Sequence, residues 1–318
     1  MRIHPSIALV LLGACNAALA SPTIQVVFND PGATYSSYYD DITRVTVAAG
    51  DAWIASFSQR SDSANLMVSI GFEPIATANG RSTTATFLGT SSNGLALYGQ
   101  GAAYELMTGI DPNGSAADVA LNLGINGYLQ NELWFDPSPA LRLAAVPADR
   151  TDAVSVLLHE FGHAFAFNGW RDGITGDLPG NYESTFDALV SSETTLSGIS
   201  LRIDGPLSRD LYGGPMSLTL GNYGHLGNLQ PDSGHDLVSD LMNGIVFERG
   251  TRYEISALDL RLMADMGLPE TVPAMLPVLA AVPEPATTAL LLAGLCGLAA
   301  LRQVRTRSDV GSGVGSCR

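Results

Sequence analysis

Hydrophobic and polar positions along the chain set out a succession of short elements. Thr23 to Phe28 alternate as a half-buried strand does, whereas Asp40 to Phe57 repeat their apolar positions at helical spacing. Strand-like runs follow at Leu66 to Ile70, Thr83 to Leu88 and Val119 to Leu123, separated by Gly, Ser and Asn clusters that read as turns. Further on, Val154, Leu157, Leu158, Phe161 and Phe165 form an apolar helical stripe. Thr151 is placed to cap that helix, Asp152 suits its first turn, and Asn168-Gly169 supplies a stop. A last helical pattern, Ile255 to Met266, ends at Gly267. Strands around one early helix, followed by two later helices, predict an α+β fold. No long-period repeat and no long charge run divides residues 21–281, which are expected to form one domain.

The two ends have different patterns. Residues 1–20 carry one Arg, an apolar run and Ala18-Leu19-Ala20 before Ser21, the shape of a secretory signal with a small-residue cleavage site. Leu12-Gly13-Ala14-Cys15 offers a rival, lipoprotein-like processing site. Residues 282–307 run from Pro283-Glu284-Pro285 through an apolar stretch, Ala286 to Leu301, to Arg302, Arg305 and Arg307. That stretch falls just short of the roughly 17 to 25 residues of a spanning helix, and the arginines would hold its end on the cytoplasmic side. A plain membrane anchor is the simplest reading. The three parts in this order also resemble the PEP-CTERM sorting tail of Gram-negative bacteria. The resemblance implies transient membrane anchoring, recognition by a sorting protease at the inner membrane, and release to the cell surface, the exopolysaccharide matrix or the medium. Residues 308–318 extend beyond such a tail.

Composition narrows the chemistry of the part between. Cys15, Cys296 and Cys317 all lie in the terminal segments, so residues 21–281 hold no thiol, and any metal there rests on nitrogen and oxygen. Lys is absent from the chain. Arg2 contributes +1 and residues 286–318 a net +3, so from −15 overall residues 21–285 carry −19. Such an acidic surface argues against a nucleic-acid partner. It is compatible with calcium binding or with salt tolerance and does not select between them; calcium-dependent adhesion lacks any clear calcium loop in the sequence.

The chemistry concentrates at His159-Glu160-Phe161-Gly162-His163. On a helix the two histidines project from one face a turn apart and Glu160 sits beside them, the arrangement of a zinc site with a general base. A third ligand has three candidates: His225, Glu183 and His235. Glu183 stands twenty residues after His163, the right distance for a second-helix ligand, but its surroundings are strand-like. His225 is followed by Asp240-Leu241-Met242-Asn243-Gly244 and by the helical stretch from Ile255.

At these residues the chain resembles leishmanolysin-like metzincins, in which about sixty residues separate HExxH from a third His and a Met-turn follows. It is similar also to exported PEP-CTERM metalloproteases, in the blocks WFDPSP, TDAVSVLLHEFGHAF, YGGP, DLMNG and ISALDLRLMADMGLP. The short-range metzincin pattern fails, with Ala166 and Gly169 where Gly and His would stand. The resemblance implies a zincin-like catalytic domain with a mixed sheet, an active-site helix and a C-terminal helical part. It makes His159, His163 and His225 the ligands of Zn2+, Glu160 the general base and Met242 the Met-turn residue. The expected activity is that of an exported zinc endopeptidase acting on protein or peptide substrates. The alternative is a non-catalytic surface or matrix binding protein with a structural zinc. Tyr253 lies eleven residues past Met242, too far along the chain for the tyrosine switch of some metzincins.

Overall fold

A computed structural model describes residues 21–195, 198–219, 221–227, 237–245 and 247–271. The signal segment at 1–20, His235, the sorting segment at 282–307 and the tail at 308–318 lie outside the described residues. Those described belong to one compact unit.

Strand β1 (Thr23–Asn29) leads into helix α1 (Tyr39–Ser56) and then β2 (Asn65–Glu73), which lies parallel to β1 with Val26 opposite Val68. A parallel pair needs such a crossover, and α1 supplies it. Next come β3 (Ala78–Ser82), the antiparallel pair β4 (Ala85–Thr90) and β5 (Ala96–Gln100), helix α2 (Gly101–Thr108) and β6 (Val119–Gly124). β6 inserts between β2 and β3, giving the order β1-β2-β6-β3. β6 is parallel to β2, and β3 runs antiparallel along the edge. Alternate residues of β2 (Leu66, Val68, Ile70) and of β6 (Val119, Leu121, Leu123) are buried together with Ile42, Val45, Ala49 and Trp53 of α1. The alternation read from the sequence is therefore that of the sheet's core-facing side.

The single strand expected at Thr83 to Leu88 is instead a corner. β3 ends at Ser82 and β4 starts at Ala85, in different sheets. The residues between are consumed in the turn, where Ser82 Oγ donates to the Thr84 carbonyl at 2.9 Å.

Two-residue strands β7 (Leu133–Trp134) and β8 (Thr151–Asp152) precede helix α3 (Ala153–Phe165). β9 (Tyr182–Ser184) joins β4 and β5; β10 (Val190–Thr195), β11 (Gly198–Ile203) and β12 (Met216–Ser217) form a further sheet. Helix α4 (Pro206–Tyr212) packs on α5 (Ala257–Asp265), where Asp265 accepts from the N–H groups of Leu207 and Ser208, each at 2.9 Å. The fold is α+β. No helix among the described residues is long and apolar enough to cross a membrane.

Candidate metal centre

Helix α3 is buried along nearly its whole circumference, as its apolar content requires. Its cap is Asp152 rather than Thr151. The Asp152 carboxylate accepts from Ser155 N–H at 3.2 Å and from the Ser155 hydroxyl at 2.7 Å, and is paired with Arg142 at 2.9 Å. Thr151 stands one residue too early to be the cap. The helix also ends sooner than Gly169: Phe165 is its last residue, and Ala166 turns out at φ −160°, a value open to any residue. No glycine is needed at position 166. Gly169 serves close approach instead, since a Cβ there would lie 2.5 Å from Asp187 Oδ1.

This early stop lets the chain fold back over the helix end. Phe167 offers its carbonyl to His163 Nδ1 at 2.7 Å. His159 Nδ1 meets the Leu241 carbonyl at 2.7 Å, and His225 Nδ1 meets the Asn222 carbonyl at 3.2 Å. A carbonyl only accepts, so each of the three Nδ1 atoms carries the proton, and each Nε2 is left with a lone pair. The three Nε2 atoms converge: His159 to His225 at 3.0 Å, His163 to His159 at 3.1 Å and His163 to His225 at 3.1 Å.

Three lone pairs at such distances repel one another unless a cation lies among them. Protonating the imidazoles is no remedy. Burial, then the neighbouring rings, hold His159 down at about 3 and His163 well below its usual value, and burial lowers His225 as well. A tetrahedral zinc ion sets neighbouring ligand nitrogens roughly 3.3 Å apart, close to what the triangle offers. Three neutral imidazoles with carbonyl-bound outer nitrogens also match the usual support of histidine ligands. The residues therefore fit a zinc-type ion.

The loop bearing Leu241 is fastened to the segment bearing His225. Leu226 N–H donates to the Met242 carbonyl at 2.8 Å, and Gly244 N–H to the Leu226 carbonyl at 3.1 Å. Met242 is fully buried, and a Cβ on Gly162 would lie 2.5 Å from its sulfur. The glycine inside HEFGH is thus where the methionine reaches the helix.

Glu160 lines the same cleft of about 640 Å³ as the three histidines, together with Tyr128 and Phe247. It is buried, and burial raises its carboxyl to about 8, opposed by a hydrogen bond from the Gly80 backbone. A cation on the histidines would act in the opposite direction. Gly80 belongs to β3 and lies flush on α3, since a Cβ there would be 2.5 Å from the Glu160 carbonyl oxygen. Gly124 N–H bonds the Thr77 carbonyl and Thr83 N–H the Asp118 carbonyl, so alternate residues of β3 bond toward β6. Ala78 and Gly80 consequently turn their backbone groups the other way, to the cleft.

Glu183 is not brought to the histidines. It is fully buried in β9, where both its oxygens accept from Asn93 Nδ2 at 3.1 and 3.2 Å. Tyr253 is buried as well, stacked on Phe247 at 4.1 Å, with its hydroxyl accepting from Glu248 N–H. Gly80 and the carbonyls of Phe167, Asn222 and Leu241 are not marked by any motif or spacing in the sequence. Backbone acceptors leave no signature in residue type, and Gly80 stands in a stretch with no motif.

Residues 281–307 match the PEP-CTERM protein-sorting motif. Such a motif marks an exported protein of Gram-negative bacteria that is directed to the cell surface, with recognition by a sorting protease and membrane anchoring of the C-terminus. No curated protein and no solved structure matches the chain.

Proposed function

We propose that this exported chain is a zinc-dependent endopeptidase of the metzincin kind, with His159, His163 and His225 as metal ligands and Glu160 as general base. One observation carries the reading: three Nε2 atoms lie within 3.1 Å of one another while a backbone carbonyl holds each Nδ1. Zinc bound there supplies a Lewis acid for a carbonyl and lowers the pKa of a water toward neutrality.

The remaining work falls to the chain itself. Glu160 takes the proton from the attacking water and passes it to the leaving amine. Gly80 packs closely on Glu160, and the buried wall around that carboxylate keeps bulk water from competing for the proton. The edge of β3 turns backbone groups at Ala78 and Gly80 toward the cleft, which suits an extended peptide adding as a further strand. This favours a peptide substrate over a compact small molecule.

A surface-binding protein with a structural zinc is the competing reading. Such a site has no use for a buried carboxylate that lines an open cleft without ligating. The test is chelation. The purified chain should cleave an unfolded protein, lose that activity on removal of zinc and regain it when zinc alone is restored. A chain that binds zinc and cleaves nothing would support the structural role.

A further inference from the structure

We propose that Glu105, Asp111 and Asp118 form a second metal site, for a calcium ion, beyond the Ser82 end of β3. The three residues come from different places: Glu105 from α2, Asp111 from the loop after it, and Asp118 from the entry to β6. Each brings a carboxylate oxygen into a cluster whose members lie within 4.8 Å of one another.

The cluster differs from an ordinary acidic patch in its burial. Glu105 is 4% exposed and Asp118 2%. One oxygen of each is accounted for: Glu105 Oε1 accepts from Asn65 N–H at 3.1 Å and Asp118 Oδ2 from Met67 N–H at 2.7 Å. Glu105 Oε2 and Asp118 Oδ1 are buried where no N–H or hydroxyl of another residue reaches them, so that either a proton shared between the two carboxyls or a cation must satisfy them. Buried oxygens in that state cost free energy, and two carboxylates facing each other add repulsion. Asn113 Oδ1, in the same loop, is a further buried oxygen without a partner.

Donors of this kind are hard oxygens with no nitrogen or sulfur among them, which selects calcium over zinc. Asp111 is exposed, so water has access to complete the shell. Its Oδ1 already accepts from the N–H groups of Asn113 and Gly114 at 2.8 and 2.7 Å, which fixes the carboxylate in place. No calcium loop is visible in the sequence because the three donors are gathered from a helix, a loop and a strand entry.

The site has a structural consequence for the cleft. The Asp118 carbonyl accepts from Thr83 N–H at 2.9 Å, and Thr83 Oγ1 donates to the Ala117 carbonyl. An ion on Asp118 would therefore anchor the end of β3, the strand whose Gly80 lies against Glu160. The proposal stands apart from the zinc chemistry, and its test does not read activity.

Calcium alone is titrated into the full chain by calorimetry, with the thermal midpoint followed in parallel, for the wild type and for Asp111→Asn and Asp118→Asn. Asp111→Asn keeps the turn, because an amide oxygen still accepts from Asn113 and Gly114. The wild type should bind one ion more than either variant, or bind it about ten-fold more tightly or better, with a dissociation constant in the range of about 10⁻⁴ to 10⁻³ M found for extracellular modules. Its midpoint should rise with calcium more than that of either variant, and zinc content should be the same in all three. Titrations that coincide for wild type and Asp111→Asn would overturn the proposal. No response of the wild type to calcium would assign the buried pair to a shared proton instead and equally overturn it.

Discussion

The sulfur of Met242 packs directly on Gly162, where a Cβ would lie only 2.5 Å from it. The contact joins the middle of HEFGH to the loop whose Leu241 carbonyl holds His159. Gly162→Ala must therefore displace the buried end of the Met242 side chain, at a cost of about 1–3 kcal/mol. The thermal midpoint should fall, and zinc should be held less tightly to the extent that the repacking moves the neighbouring Leu241 carbonyl. An unchanged midpoint would show that the methionine side chain yields freely.

Ligand assignment is tested by metal content. His225→Ala removes one corner of the Nε2 triangle and should leave the chain without stoichiometric zinc. Glu183→Ala should keep zinc, because the Glu183 carboxylate is bonded to Asn93 in β9 and not to the histidines. His235→Ala should also keep zinc. Loss of metal in Glu183→Ala with retention in His225→Ala would move the third ligand to β9.

Asp259 gives the fold a pH dependence of known sign. It is the third residue of α5, buried, with Oδ2 accepting from Ser256 N–H at 2.8 Å and its carboxyl against that of Asp240. Burial first, then the charge of Asp240, push it well above the usual carboxylate range. The folded chain thus keeps a proton that the unfolded chain releases. The stability from this is present below about pH 4 and is lost as pH rises through the raised folded value. Asp259→Asn still accepts from Ser256 but cannot ionise, so its thermal midpoint should fall less than that of the wild type as pH is raised. Parallel profiles would contradict the assignment.

Where the sequence was legible, the reason is periodicity under burial. The α1 pattern read from Asp40 to Phe57 became Tyr39–Ser56, and the strand at Val119 to Leu123 became Val119–Gly124. Both have one buried face that dictates residue type. HEFGH was legible because helix geometry alone brings positions 159 and 163 together. Three features were not: the corner at Thr83-Thr84, the end of α3 at Phe165, and Gly80 against Glu160. Each is set by backbone hydrogen bonds or by a close approach across the fold, and neighbouring residues in the chain do not encode it. The meeting of His225 with the other two histidines depends on Leu226 bonding to the Met242 and Gly244 backbone. No spacing rule reports that bond. The structure brings the His225 ring to those of His159 and His163, a meeting that residue spacing alone does not require.

The most direct measurement compares the wild type with Glu160→Gln at equal zinc content, reading hydrolysis of an unfolded protein. The substitution keeps the size of the side chain and leaves the three histidines untouched, but removes the proton acceptor. The account predicts that both bind one zinc and that the variant is slower by about 100-fold or more. Equal rates in the two proteins, or no hydrolysis by zinc-loaded wild type, would contradict it.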